Sequence, residues 1–286
     1  MGAETVTTAA KLVAAAAVIA MVFSLGLGTT PAQLAWVLRR PGLLARSALS
    51  VLVLVPLAAL LAALGLGLDR RAVIGVVLMG VSPAAPLVLR RAGQARGNVS
   101  YASGIQVVLA VLAVASVPLS LAGLSRLFPG SRAWVSPLDV AVQVGRVQLL
   151  PLGAGMALRA IRPGWADRLA RPLERLAFVL LVAFAAAALA LRGPDLLRVG
   201  VAAWAAMALA VGASIAFGHL LGGPDPDDRT VLAVASALRN PGLALLVVQV
   251  NFPGQGVGQV LLAYALVTVA FLAAYAAWRR RPGRAA

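Results

Sequence analysis

The chain has no cysteine, one histidine (His219), one lysine (Lys11) and only nine acidic residues in 286. Without cysteine it has no disulfide, no thiol nucleophile and no thiolate metal site. The acids are Glu4, Asp69, Asp139, Asp167, Glu174, Asp195, Asp225, Asp227 and Asp228, and all fall in predicted loops or at predicted helix ends. No carboxylate is therefore expected at bilayer depth, which argues against proton coupling through Asp or Glu. His219 lies near one end of a predicted helix and is read as an interfacial or packed residue rather than a proton carrier. One histidine with no thiol and no intramembrane acid leaves no nucleophile with its base and no metal cluster, so an enzyme is not expected.

Apolar residues are abundant. The chain is 61% hydrophobic and 12% charged, with a mean hydropathy of +0.94. A soluble domain could not bury that much apolar surface, so the fold class is an all-α membrane protein. Nine stretches can cross a hydrocarbon layer of ~30 Å as helices of about 20 residues: 7–27, 47–66, 72–89, 99–124, 138–158, 176–191, 199–221, 231–250 and 257–277. Residues 1–27 have a signal peptide as the alternative reading. Glu4, the single Lys11 and the lack of a clear small-residue cleavage site favour a retained first helix.

A net charge of +16 would suggest a nucleic-acid partner in a soluble protein, but here the placement of the cations decides. Sixteen of them, from Arg39, Arg40 and Arg46 through the cluster at 159–175 to Arg279, Arg280, Arg281 and Arg284, fall in alternate loops. The opposite loops hold seven. The richer side is cytoplasmic by the positive-inside rule, which puts the N-terminus outside and the C-terminus inside. No nucleic-acid partner is expected. Richness in Ala and Arg with a single Lys suggests a high-GC bacterium, and hence its cytoplasmic membrane.

Two predicted helices are interrupted. One carries Ser82-Pro83-Ala84-Ala85-Pro86 and the other Arg239-Asn240-Pro241-Gly242. Backbone groups freed inside a bilayer must be satisfied by protein or by a lined cavity. Pro56, Pro118 and Pro151 are read as single kinks. The interrupted helices occupy corresponding places in two halves and run in opposite senses, as in an inverted repeat. Such pairs point to a transporter site near the midplane. The halves are 1–128, four helices with a leading helix missing, and 138–278, five helices, followed by a basic cytoplasmic tail at 279–286.

Arg239 stands beside the second interruption. A charged guanidinium at bilayer depth costs about 2.5–3.5 kcal/mol even on mild insertion scales, and it cannot shed its charge by titrating. It marks a candidate site. The alternative is that it only satisfies carbonyls freed at the breaks. Arg146 also lies within an apolar span. Asn98 is read as the N-cap of the fourth helix. Ser236, one turn before Arg239, is read either as lining the crevice or as returning its hydroxyl to its own helix.

The runs Val22-Phe23-Ser24-Leu25-Gly26-Leu27, Gly80-Val81-Ser82-Pro83-Ala84-Ala85 followed by Arg96-Gly97-Asn98, and Ala237-Leu238-Arg239-Asn240-Pro241-Gly242-Leu243-Ala244 resemble the bile acid:sodium symporter family. The resemblance implies a core domain with two crossing discontinuous helices, a panel domain packed on it, and a substrate crevice between them. Members commonly have ten helices in two inverted repeats of five, and some lack the first helix, which is similar to the nine counted here. Carried over without gaps, the family's sodium-binding Ser-Asn pair falls on Val88 and Leu89, its hydroxyl positions on Ala102 and Gln106, its glutamate on Ala235 and its glutamine on Arg239. Hard cations need several oxygen ligands, so the resemblance implies that both sodium sites are dismantled and that no cofactor or metal is held.

A secondary transporter of a small organic anion is the expected function, with Arg239 as a fixed positive charge and weak or absent sodium dependence. The candidate substrate contacts are Arg239, Asn240, Pro241, Gly242, Ser236, Gln106, Pro83, Ala84, Ala85 and Pro86. A sodium-coupled bile acid or organic anion symporter using other ligands, and an anion channel, remain as alternatives. Membrane lipid and the anion are the expected partners, and a monomer or weak dimer the expected state.

Overall fold

The computed structural model describes residues 2–83, 88–127, 136–252 and 256–281, and among these it contains helices and no strand. In chain order they are α1 (Gly2–Gly28), α2 (Pro31–Leu38), α3 (Pro41–Ala48), a π-helical stretch (Leu49–Leu54), α4 (Val55–Gly65), α5 (Arg70–Val81), α6 (Val88–Gln94), α7 (Val99–Leu127), α8 (Pro137–Ile161), α9 (Pro163–Leu196), α10 (Val201–Leu221), α11 (Pro226–Ala237), α12 (Pro241–Asn251) and α13 (Val257–Arg279). Six helices among the described residues are long and apolar enough to cross a membrane, or seven if a pair bent by 86° is counted as one. That falls short of the nine expected. The shortfall lies at α8, which interrupts its apolar run with Gln143, Arg146, Gln148 and Arg159, and at α5 and α6, which are separate short pieces. The fold is a multi-pass, all-helical membrane protein.

The bend follows from local chemistry. Thr30 accepts from Gln33 N–H while the Gln33 side chain accepts from Thr30 N–H, and Pro31 occupies the first turn. This capping box starts a new helix at Pro31, between two of the predicted spans. α9 likewise begins at Pro163, thirteen residues before the apolar run at 176, because arginine and glutamate continue a helix as readily as leucine does. Pro118, Pro151 and Pro172 lie inside α7, α8 and α9 without ending them.

The helices sort into two neighbourhoods. α1, α8 and α9 pack on one another. Gly26 and Gly155 let α1 and α8 meet backbone to backbone, and a Cβ on either would run into the other helix's main chain. The remaining helices surround the two interruptions. α10 presses on α11 through Gly218, where an added Cβ would strike Leu232 O and Ala233 Cα. α6 packs against α11, and α12 against α5. The second piece of each interrupted element thus lies beside the first piece of the other. α7 is shared between the neighbourhoods, touching α1 and α8 on one hand and α5, α6 and α11 on the other.

Candidate functional site

α5 ends because Pro83 has no N–H to give to Met79 O, the carbonyl four residues back. Ser82 closes the last turn by donating its hydroxyl to Leu78 O at 2.7 Å, and takes extended backbone (ψ 91°). α11 ends at Ala237, and Asn240 starts α12 with its side-chain oxygen accepting Leu243 N–H at 3.0 Å, followed by Pro241 in the first turn. The two interruptions touch. Asn240 N–H donates to Ser82 O at 3.2 Å, joining the end of α5 to the start of α12.

Arg239 sits in this joint, 2% exposed. Its Nε donates to Met79 O at 3.2 Å, its Nη1 to Ser236 O at 3.3 Å and to Val51 O at 3.4 Å, and its Nη2 to Gly80 O. These acceptors are available for reasons legible in the chain. Pro83 removes the donor four residues beyond Met79 O, which keeps only the Ser82 N–H at 3.2 Å, and Gly80 O lies in the last turn of α5. The Asn240 N–H that would close α11 onto Ser236 O is diverted to Ser82 O. Val55 N–H reaches back to Ser50 O in the π-helical register, and the next donor along is Pro56, which has none, so Val51 O is left over. Pro56, read from sequence as a kink, creates an acceptor. The last carbonyls of α5 and α11 also bring two negative helix ends together, which a guanidinium offsets.

Hydrogen bonds among side chains complete the joint. Ser236 Oγ lies 2.8 Å from Ser50 Oγ, so Ser236 links α11 to the π-helical stretch instead of bonding back to its own helix. The Tyr264 side chain of α13, fully buried, lies within electrostatic reach of Arg239. Pro83 is buried and Pro241 and Gly242 are half-buried. A Cβ at Gly242 would run into Val18 of α1. Ala84, Ala85 and Pro86 lie outside the described residues. Gln106 is buried on α7 with both amide atoms unpartnered, and no hydrogen bond ties it to the joint. Of the positions carried over from the sodium sites, Val88, Ala102 and Ala235 are fully buried apolar side chains, and nothing is described of the Leu89 side chain.

A second cluster lies at the N-terminal end of α11. Asn98 Oδ1 accepts Tyr101 N–H at 3.2 Å, the expected N-cap of α7, while its Nδ2 donates to Asp228 Oδ1 at 2.9 Å. Asp228 is a helix-end acid but only 8% exposed, and nothing in the sequence distinguished it from Asp225 and Asp227. The turn before Asn98 holds Arg96 at φ 62° and brings Gly97 against Val231 and Ala92, which accounts for the run Arg96-Gly97-Asn98. Asn98→Ala is expected to lower stability by about 3 kcal/mol, through one lost cap and one unpartnered buried carboxylate. Thermal unfolding of the purified protein checks it, and an unshifted Tm would mean the contact is idle. On the same side, His219 Nδ1 lies 2.9 Å from Tyr275 Oη with its ring edge-on to Trp278, a packed residue as expected. Arg279 Nε donates to Thr230 Oγ1 at 2.7 Å. Arg146 lies on an exposed face of α8.

Apolar helices around two elements broken at one shared point, with a buried cation holding the breaks, define a multi-pass membrane protein of the discontinuous-helix class. The Sodium Bile acid symporter family matches residues 15–198, and the chain belongs to that family of membrane transporters. The match runs from α1 through α9 and includes the first break. α11, Arg239 and the second break lie beyond it. No curated protein matches the chain.

Proposed function

We propose that the chain is a secondary transporter of a small organic anion, working by alternating access beside the two joined breaks, with the Arg239 guanidinium in the place of a coupling sodium ion. The reading keeps nine crossings arranged as an inverted repeat, α1, α8 and α9 as the panel and the rest as the core, in a bacterial cytoplasmic membrane with the N-terminus outside. The observation that carries it is the set of four main-chain carbonyl oxygens from three elements converging on one buried guanidinium. Carbonyl oxygens freed at helix breaks are what a hard cation binds. Here a tethered cation uses them. With four of its five N–H groups on carbonyls and the side chain buried, Arg239 serves a substrate anion chiefly through its field. Asn240, Pro241, Gly242, Ser236, Gln106 and residues 83–86 remain the proposed walls of the crevice.

Sodium independence follows from this arrangement. Organic acids that stabilise the purified protein are first identified by thermal shift, and uptake into proteoliposomes is then measured with and without an inward sodium gradient. The expected result is saturable uptake that sodium leaves unchanged. Strong stimulation by sodium would overturn the substitution of Arg239 for the ion, and flux that does not saturate would favour a pore.

A further inference from the structure

Five buried polar atoms on two packed helices have no hydrogen-bond partner among the described residues. Four belong to fully buried side chains, Ser103 Oγ and both amide atoms of Gln106 on α7 and Nε2 of Gln148 on α8; the fifth, Ser116 Oγ, belongs to a half-buried residue three turns farther along α7. Ser103, Gln106 and Gln148 are 0%, 2% and 3% exposed. Leaving such a group unmatched costs about 1–3 kcal/mol, and other serines of this chain avoid the cost locally. Ser47, Ser82 and Ser214 each return the hydroxyl to the carbonyl four residues back, whereas Ser103 does not. Three unmatched side chains in one region therefore ask for a partner.

Their position in the fold says where that partner sits. Gln106 shares its stripe of α7 with Ala102, Leu109 and Ala113, which belong to the large apolar cluster around the breaks. Ser103 shares its stripe with Val107, part of a smaller cluster formed with Val18, Val22 and Leu25 of α1 and Leu152 of α8. On α8, Gln148 stands one turn from Val144 of the large cluster and one turn from Leu152 of the small one. All three side chains thus lie along the line where the two clusters meet, which is the seam between the α1–α8–α9 neighbourhood and the helices around the breaks.

We propose that Ser103, Gln106 and Gln148 form a neutral hydrogen-bonding strip in the substrate crevice, and that it recognises a hydroxyl group on the transported acid. The proposal rests on the transporter reading above and specifies its substrate class. A carboxamide offers a donor and an acceptor side by side, as a hydroxyl does. A ligand hydroxyl can donate to Gln106 Oε1 while accepting from Gln106 Nε2 or Gln148 Nε2. None of the three side chains is charged, so the strip suits the uncharged polar part of the molecule and leaves the carboxylate to the positive field at the joint. An acid with no such group would leave the amides unmatched, the condition that gives polar sites their strongest discrimination.

The test uses the purified full-length protein and two pairs of acids that differ by one hydroxyl, lactate against propionate and malate against succinate. Apparent affinities are read from thermal shifts. The wild type is expected to favour the hydroxylated member of a pair by at least about tenfold, and Gln106→Leu and Gln148→Leu to lose that preference. Without ligand, both variants and Ser103→Ala are expected to melt at or above the wild-type temperature, since each removes a buried unmatched group. Equal binding of both members of each pair, or a preference that survives in the variants, overturns the strip while leaving the transporter reading intact. Variants that melt well below wild type assign the amides to the fold and likewise overturn it. If none of the four acids shifts the wild type while another organic acid does, the strip is overturned and the transporter reading stands; if no organic acid shifts it, both fail.

Discussion

Arg239→Ala is expected to lose about 4 kcal/mol of stability, from buried carbonyls that lose a donor at roughly 1–3 kcal/mol each and from the void left by the side chain, and to regain part of it when a soluble cation is added. The reason lies in the acceptors. Met79 O, Gly80 O, Val51 O and Ser236 O stay where Pro83, Pro56 and the diverted Asn240 N–H put them. The truncated side chain leaves those carbonyls facing a void, with only Met79 O keeping a donor, the Ser82 N–H. Guanidinium restores both charge and fork, while sodium or potassium restores charge alone, in a pocket of main-chain oxygens suited to a hard ion. Melting curves of the variant with guanidinium, sodium and potassium chlorides, against choline chloride as an ionic-strength control, separate these cases. Guanidinium at low millimolar concentration should raise Tm selectively, and uptake by the variant should become sodium-stimulated. A variant as stable and active as wild type, with no response to any cation, would remove Arg239 from both the fold and the proposed mechanism.

The second large effect is expected at Gly218. Gly218→Ala places a methyl group against the main chain of Leu232 and Ala233, where no side-chain rotation can give way. α10 and α11 must separate, and α11 carries Ser236 and delivers Arg239 to its acceptors. A loss of about 3 kcal/mol or more is expected, at or beyond the upper end of overpacking costs, together with loss of ligand-induced stabilisation. Gly258→Ala in α13, with open space around its Cα, is the matched control and should melt as wild type. Similar behaviour of the two variants would show that the α10–α11 contact is not the one that sets the joint.

The sequence made some of this legible at once. Hydropathy assigned an all-helical membrane protein, and the proline-rich interruptions at Pro83 and Pro241 marked where helices stop. A guanidinium inside an apolar run is costly enough that Arg239 could be singled out before any geometry was known. The family showed in short motifs and is matched over 15–198. What the chain could not reveal was how its pieces meet. Pro56 read as a kink, yet together with a π-helical register it exposes Val51 O to a residue far along the sequence. Ser236 was weighed between the crevice and its own helix and pairs with Ser50 of another. Asp228 looked like its neighbours until Asn98 was brought against it. The segment at 31–38 falls outside every predicted span and is a helix, because a two-sided capping box weighs little in hydropathy.

Composition, the order of helices and the places where they break are local properties, governed by side-chain transfer energies and by whether a residue has an N–H to give. Those the sequence determined by itself. The joint between Asn240 and Ser82, the four oxygens around Arg239 and the unmatched amides along the seam were decided only in three dimensions. A freed carbonyl has no preferred partner along its own chain, and packing selects which distant donor reaches it.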